Sequence, residues 1–244
     1  MLSLQKGRYV ARVSGETQDI SAAQALRHLC FRGEQGRDVD AFDQICRHVM
    51  VEDATSGALL CCFRLMVLNS GCEIARSYSA QYYDLAALEG FEGKMVEMGR
   101  FCIHPDHHDP DILRVAWGAL TRIVDDEGIG MLFGCSSFKG TKAALYFDAF
   151  AKLRTAHLAP LRWCPKVKAP RVYRFAQRLA RRTADPKRAA LTMPPLLRTY
   201  LLMGGWVSDH AVIDGDLNTL HVFTGLEIAA IPPARARALR AVAG

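Results

Sequence analysis

No uninterrupted stretch of about 20 apolar residues occurs in this 244-residue chain, so no transmembrane helix is expected. The nearest approach, Tyr200 to Val207, is short and holds two glycines. No Cys-x-x-Cys pair occurs among the eight cysteines, and their scattered positions suggest no disulfide framework. No signal peptide is expected, and a reducing cytoplasm is the expected compartment. Internal repeats and low-complexity segments are lacking, and no nucleic-acid recognition motif is present, so no nucleic-acid partner is expected. Acids are nearly missing from one window. Arg162 to Arg188 holds ten Lys or Arg and a single acid, Asp185. The formal charge of +6 is therefore local, and it points to an anionic partner or surface, or to a solvated helix face.

What is present is an ordinary globular balance, 50% hydrophobic and 23% charged. Residues 7–14 alternate as a strand, and residues 18–31 carry apolar side chains at helical spacing, with Ser21 as a possible cap. Two strands around Ala54–Gly57 read as a hairpin. Residues 73–88 read as an extended entry, an aromatic-rich turn and a short helix. "KMVEMGRFCIH" is the next strand, "ILRVAWGALTRIVDDEG" an amphipathic helix, "MLFGCSSF" a strand covered on both faces, and "TKAALYFDAFAKL" a helix. The layout is mixed α/β around a central sheet flanked by helices. Residues 1–159 form the expected core. Residues 160–244 form a basic helical segment and a helical and strand-like extension that completes the fold. Within it, Arg171, Arg174, Arg178, Arg181 and Arg182 are expected on one face of a helix, with Val172, Phe175, Ala176 and Leu179 beside them.

Two constellations could carry chemistry. Cys102, His104, His107 and His108 look like metal ligands, but they lack the paired spacing of structural zinc and lie in a Pro/Asp-rich loop, so no metal is expected. Glu97 and Arg100 lie three apart on a strand and should face opposite sides unless a bulge intervenes. A buried carboxylate there is either half of a structural ion pair or a functional acid or base.

The order of charged residues narrows the choice. Arg27 and Phe31 sit four apart on the first helix, Asp40 and Asp43 in the next loop, Arg64 on a strand, then Glu97, Arg100 and Phe101 as Glu-x-x-Arg-Phe. This order resembles the acyl-homoserine-lactone synthases, acyltransferases on a GNAT-like fold. A closer resemblance is to the L-ornithine N-alpha-acyltransferases of ornithine lipid synthesis, also called hemolysin-like. It rests on "DVDAFDQICRHVMVED", "MVEMGRFCIHPDH", "LFGCSSF" and "PPLLRTYLLMGGWVSDHAVIDGDLNT", and it covers most of the chain.

The resemblance implies transfer of a 3-hydroxyacyl chain from acyl carrier protein, through its phosphopantetheine, to the α-amine of L-ornithine, with no bound cofactor. A partner O-acyltransferase would finish the lipid. Glu97 is then the candidate base, with Arg100 beside it. Backbone amides in "CIH" or near Cys135 and Ser136 are candidate oxyanion donors. Asp40 or Asp43 could meet the second amine of ornithine and Arg64 or Arg100 its carboxylate, or these four could tie the loop to the sheet. Cys102 and Cys135 are expected to pack rather than carry acyl groups. "HPDHHDPDILRVAWG" departs from the usual GNAT pattern, having no glycine in the turn where a pyrophosphate is normally cradled. The arginine-rich face would meet the carrier or an anionic membrane, giving a peripheral location on the inner face of the cytoplasmic membrane. Two alternatives stand: an acyl-homoserine-lactone synthase using S-adenosylmethionine, and a non-catalytic membrane-binding protein.

Overall fold

The computed structural model describes residues 3–244. In chain order, β1 (Ser3–Lys6), β2 (Tyr9–Ser14), α1 (Thr17–Arg32), β3 (Arg47–Asp53) and β4 (Leu59–Leu68) come first. They are followed by β5 (Tyr83–Asp84), β6 (Lys94–Ile103), α2 (Pro110–Glu127), β7 (Ile129–Lys139) and α3 (Phe147–Ala156). The rest is β8 (Lys166–Val167), β9 (Val172–Tyr173), α4 (Phe175–Arg178), α5 (Pro186–Thr192), α6 (Pro195–Leu202), β10 (Trp206–Val207), β11 (Ala211–Asp214), β12 (Thr219–Glu227) and α7 (Pro233–Ala243). The fold is mixed α/β, as expected.

The chain groups into two compact units, each discontinuous in sequence. One holds residues 1–67, 96–130 and 232–244; the other holds 68–95 and 131–231. Their limits differ from a division between residues 159 and 160, because residues 68–95 and 131–159 group with the later chain.

In the first unit the sheet runs β1-β2-β3-β4-β6, and its first three pairings are antiparallel. The helix α1 seats Ala23 and Leu26 on Met50 of β3, Cys62 of β4 and Cys102 of β6. This burial rather than propensity holds the helix, since most helical stability comes from the packed face. Gly33 ends α1 in a left-handed turn, φ 75°, and donates its N–H to the Leu29 carbonyl. Ser21 is not the cap. The helix starts at Thr17 behind Glu16, and the Ser21 hydroxyl donates back to the Thr17 carbonyl at 2.8 Å.

In the second unit β7-β12-β11-β9 form a sheet with β10 also on β12, and β5 pairs with β8. Residues 73–88 form single 3-10 turns around β5, not a strand leading into a helix. The core gathers Phe138, Phe150, Phe175, Leu197, Leu220 and Val222. The expected arginine-rich helix is absent. Val172 and Tyr173 pair with Val212 and Ala211, Phe175 is fully buried, and α4 spans only four residues. Strand pairing after Pro170 and the burial of Phe175 and Leu179 override the local helical period. The five arginines therefore do not share a helix face. Arg182 binds Asp148 at 3.0 Å, Arg178 lies over Tyr173, and Arg171, Arg174 and Arg181 are exposed.

Candidate active site

Three arginines and three aspartates of the first unit converge on one network. Arg27 comes from α1, Arg64 from β4 and Arg100 from β6. Asp38, Asp40 and Asp43 come from the loop between α1 and β3. Arg27 is 1% exposed and grips Asp43 with two guanidinium nitrogens, at 2.7 and 3.0 Å, and Asp38 with Nε at 3.0 Å. Arg64 holds both oxygens of Asp40, at 2.6 and 2.7 Å, and reaches Asp43 at 2.9 Å. Arg100 donates to Asp38 at 2.8 Å and to Asp40 at 3.1 Å. Such bidentate, charge-assisted pairs are the strong class of hydrogen bond. The charges balance, which is what permits their burial.

The loop is shaped to deliver these carboxylates. Asp40 caps the 3-10 turn Ala41–Gln44, accepting from the Phe42 amide at 2.9 Å, while Asp43 accepts from the Asp40 amide at 3.3 Å. Gln24, buried on α1, donates to Asp43 at 2.8 Å and accepts from Arg37. Arg64 and Arg100 also lie over the rings of Phe42 and Phe31, 5.5 and 5.9 Å from their centroids. Phe101 stacks on Phe63, centroids 5.4 Å apart.

Arg100 adopts φ 54°, a left-handed backbone in the middle of β6. For a residue with a Cβ this costs roughly 1–2 kcal/mol, a cost that the ion pairs of Arg100 hold in place. The left-handed residue breaks the simple alternation that would put Glu97 and Arg100 on opposite faces. Glu97 is buried, at 4% exposure. It lies on β6 three residues before Arg100, and its charge, like those of Arg64, Asp40 and Asp43, reaches the Cys46 thiol. Burial first, then Glu97, Asp40 and Asp43, against Arg64, push that thiol up to about 11.

Burial alone would raise the Asp43 and Asp40 carboxyls. Bonds from Arg27 and Gln24 to Asp43, and from Arg64 to Asp40, more than reverse this, and both end below the usual carboxylate range. The sign follows. Below about pH 4, near the unfolded value, the unfolded chain binds more protons than the folded one, so stability falls as pH drops further. Melting temperatures are expected to fall gently below about pH 6.5, where burial keeps His48 and His157 from taking up protons as readily as in the unfolded chain, and steeply below about 4, with Asp43→Asn flattening the acid limb. Thermal unfolding followed across pH checks this.

The metal reading finds no support in the geometry. Cys102 is buried against Cys62, with sulfur atoms 3.5 Å apart, and its Cys30 and Cys62 neighbours, then burial, push its thiol well above the usual value. His104 packs its ring edge-on against His107 at 5.1 Å. Among the described residues, no group of three or more His, Cys, Asp or Glu is placed to hold a metal ion. The loop they occupy leads to α2, whose N-terminus is capped by Asp109. That carboxylate accepts from the Asp111 amide at 2.9 Å and from the Tyr9 hydroxyl at 2.6 Å.

Cys135 and Ser136 belong to the second unit. Cys135 lies 3.4 Å from the Ser79 hydroxyl, and Ser136 accepts from Thr224 at 2.9 Å. Asp38 and Gln24 are the network members that sequence reasoning misses, and Cys46 lies within reach of the network's charge. Asp38 was detectable as the first acid of the run Asp38, Asp40, Asp43. A glutamine in mid-helix and a lone cysteine carried no signal.

Comparison with known proteins gives this geometry a family. Residues 26–118 match the Acetyltransferase (GNAT) domain, a span that contains the end of α1 with Arg27, the acidic loop, β4 and β6. An N-acyl amino acid synthase from uncultured soil microbes superposes with a TM-score of 0.52 at 13% identity, over 92% of this chain and 94% of that one. A CoA-dependent acyl-homoserine lactone synthase superposes at 0.50, also at 13% identity, over 95% of this chain and 86% of that one. These likenesses establish the fold. An L-ornithine N(alpha)-acyltransferase of Brucella abortus is 29% identical over 91% of this chain and 85% of its own. Its counterpart in Rhodobacter capsulatus is 32% identical over 230 residues, 88% of each chain. With the acidic loop, its arginines and Glu97 all inside such a match, the chain belongs to the L-ornithine N(alpha)-acyltransferase family, acyltransferases on a GNAT fold.

Proposed function

We propose that this protein moves a 3-hydroxyacyl chain from acyl carrier protein to the α-amine of L-ornithine, forming lyso-ornithine lipid. The observation that carries the reading is Glu97, a buried carboxylate on the strand that supplies Arg100 to the arginine and aspartate network, in a chain 32% identical to a named ornithine acyltransferase. The amine nitrogen must lose a proton before it attacks the thioester carbonyl carbon. Glu97 accepts that proton, directly or through water. The C–N bond forms, the nitrogen gives up its second proton, the tetrahedral oxyanion collapses and the C–S bond breaks; one of the two protons ends on the departing phosphopantetheine thiol and the other goes to solvent. Thioesters are already activated, so no covalent cysteine is needed, and Cys102, as a protonated thiol, is unsuited to be one.

Asp43 has both oxygens filled by Arg27, Gln24 and Arg64, and in this reading it is a structural member. Asp40 is likewise held through both oxygens by Arg64, but at 22% exposure it is the more open of the two, and it is assigned with Arg100 to meet ornithine's second amine and its carboxylate.

The donor is read from α2. In GNAT enzymes a helix start of this kind attracts a pyrophosphate. Here Asp109 caps it and Asp111 lies in its first turn, and Asp109 already takes an N-terminal amide. Anionic side chains in that place disfavour a coenzyme A pyrophosphate and suit a donor that presents only a phosphopantetheine arm. The test compares two donors carrying the same 3-hydroxyacyl group. Like-charge repulsion at an exposed site predicts kcat/KM roughly tenfold or more higher with the acyl carrier protein than with coenzyme A. Equal values would remove the carrier assignment while leaving the acceptor intact.

A further inference from the structure

The exposed leucines of the second unit form a feature that the acylation chemistry does not use. Leu191 on α5 is 85% exposed and Leu202 at the end of α6 is 55% exposed. Between these helices and the end of α3 lies an open cavity of about 170 Å³. Met193, Leu201 and Leu202 form its apolar walls, with Lys152, His157 and Arg198 among them. Leu191 follows Ala190, another residue of that wall, and Leu158, 38% exposed, follows His157. Leu202 itself lines the depression, while Leu191 and Leu158 are each the next residue in sequence to one that does.

The chain that builds this face is strongly basic. From Ala149 to Ser208 the only acid is Asp185. Its carboxylate is committed to capping α5, accepting from the Lys187 and Arg188 amides at 2.9 and 3.1 Å. Arg198 ties α6 to α5 through the Ala190 and Met193 carbonyls and keeps its cationic charge at the cavity. Among the described residues no helix is long and apolar enough to cross a membrane. Protruding leucines within a basic, acid-poor surface are what a protein uses to lie in a bilayer interface. The leucines enter the acyl region while the cations meet headgroup phosphates. A folded acidic partner would satisfy the charges but does not require leucines this exposed.

We propose that the α5–α6 face, with Leu191 and Leu202 at its tip, docks the protein on an anionic lipid bilayer. The assignment rests on the proposed reaction only in that an acylated amino acid is an amphiphile best released at a membrane. It relocates the membrane contact expected from the arginines of residues 171–182, which share no helix face.

Cosedimentation of the full chain with vesicles of phosphatidylcholine alone, or with one part in three phosphatidylglycerol, tests it. Wild type is expected to partition onto the anionic vesicles, and Leu191→Ser with Leu202→Ser to weaken partitioning by roughly tenfold. Because these side chains are exposed, the double variant should melt like wild type and acylate soluble substrates at the wild-type rate. Acylation is read without vesicles, so a failure of the reaction would leave the docking result standing, and the reverse. The proposal is overturned if wild type ignores anionic vesicles, if the double variant binds them as wild type does, or if the two leucines prove to hold acyl carrier protein and no vesicle.

Discussion

Asp43→Ala is expected to lower the free energy of unfolding by about 3–5 kcal/mol, the range for removing one partner from a buried charged network. Asp43 is 5% exposed and accepts from Arg27, Arg64 and Gln24, so its loss leaves guanidinium charge without its carboxylate in a site with little water. The loop between α1 and β3 also loses the return bond from the Asp40 amide. Urea unfolding at pH 7 measures the change. A double change, Arg27→Met with Asp43→Leu, is expected to recover part of the loss, because removing both charges avoids the unpaired one. A loss below about 1 kcal/mol, the scale of an exposed pair, would show that the network does not hold the loop.

Glu97→Gln is expected to lower kcat by about 10²–10⁴, the usual contribution of a positioned general base, with a smaller change in KM for ornithine. Glutamine keeps the volume and hydrogen-bonding capacity of the buried side chain, so the variant should fold. Wild-type melting together with the lost rate assigns Glu97 to the chemistry. A variant that melts normally and turns over at the wild-type rate would move the base elsewhere.

Much of the frame is legible in the sequence because it follows local period. The helix expected at 18–31 is found at Thr17–Arg32, and "KMVEMGRFCIH" is β6. The first strand is not, since β1 is a four-residue edge with only Leu4 buried. The arginine-rich stretch fails for a different reason. Its helical spacing is real, but Val172 and Tyr173 pair with β11, some forty residues later, and no local window contains that partner. At the site, Arg27, Asp40, Asp43, Arg64 and Arg100 were identified by residue order, and the structure brings them together. Two things were not readable. The left-handed Arg100 is not a glycine, so nothing in the sequence marks the break in β6. The saturation of Asp43 depends on Gln24 and Arg27 reaching it from α1, which only the folded loop reveals.

The most direct measurement is mass spectrometry of the reaction between purified protein, 3-hydroxyacyl-acyl carrier protein and L-ornithine, with fragmentation to locate the new amide. The account predicts acyl-ornithine with the chain on the α-nitrogen. Acylation of the side-chain amine, no product at all, or a lactone formed from S-adenosylmethionine instead would contradict it.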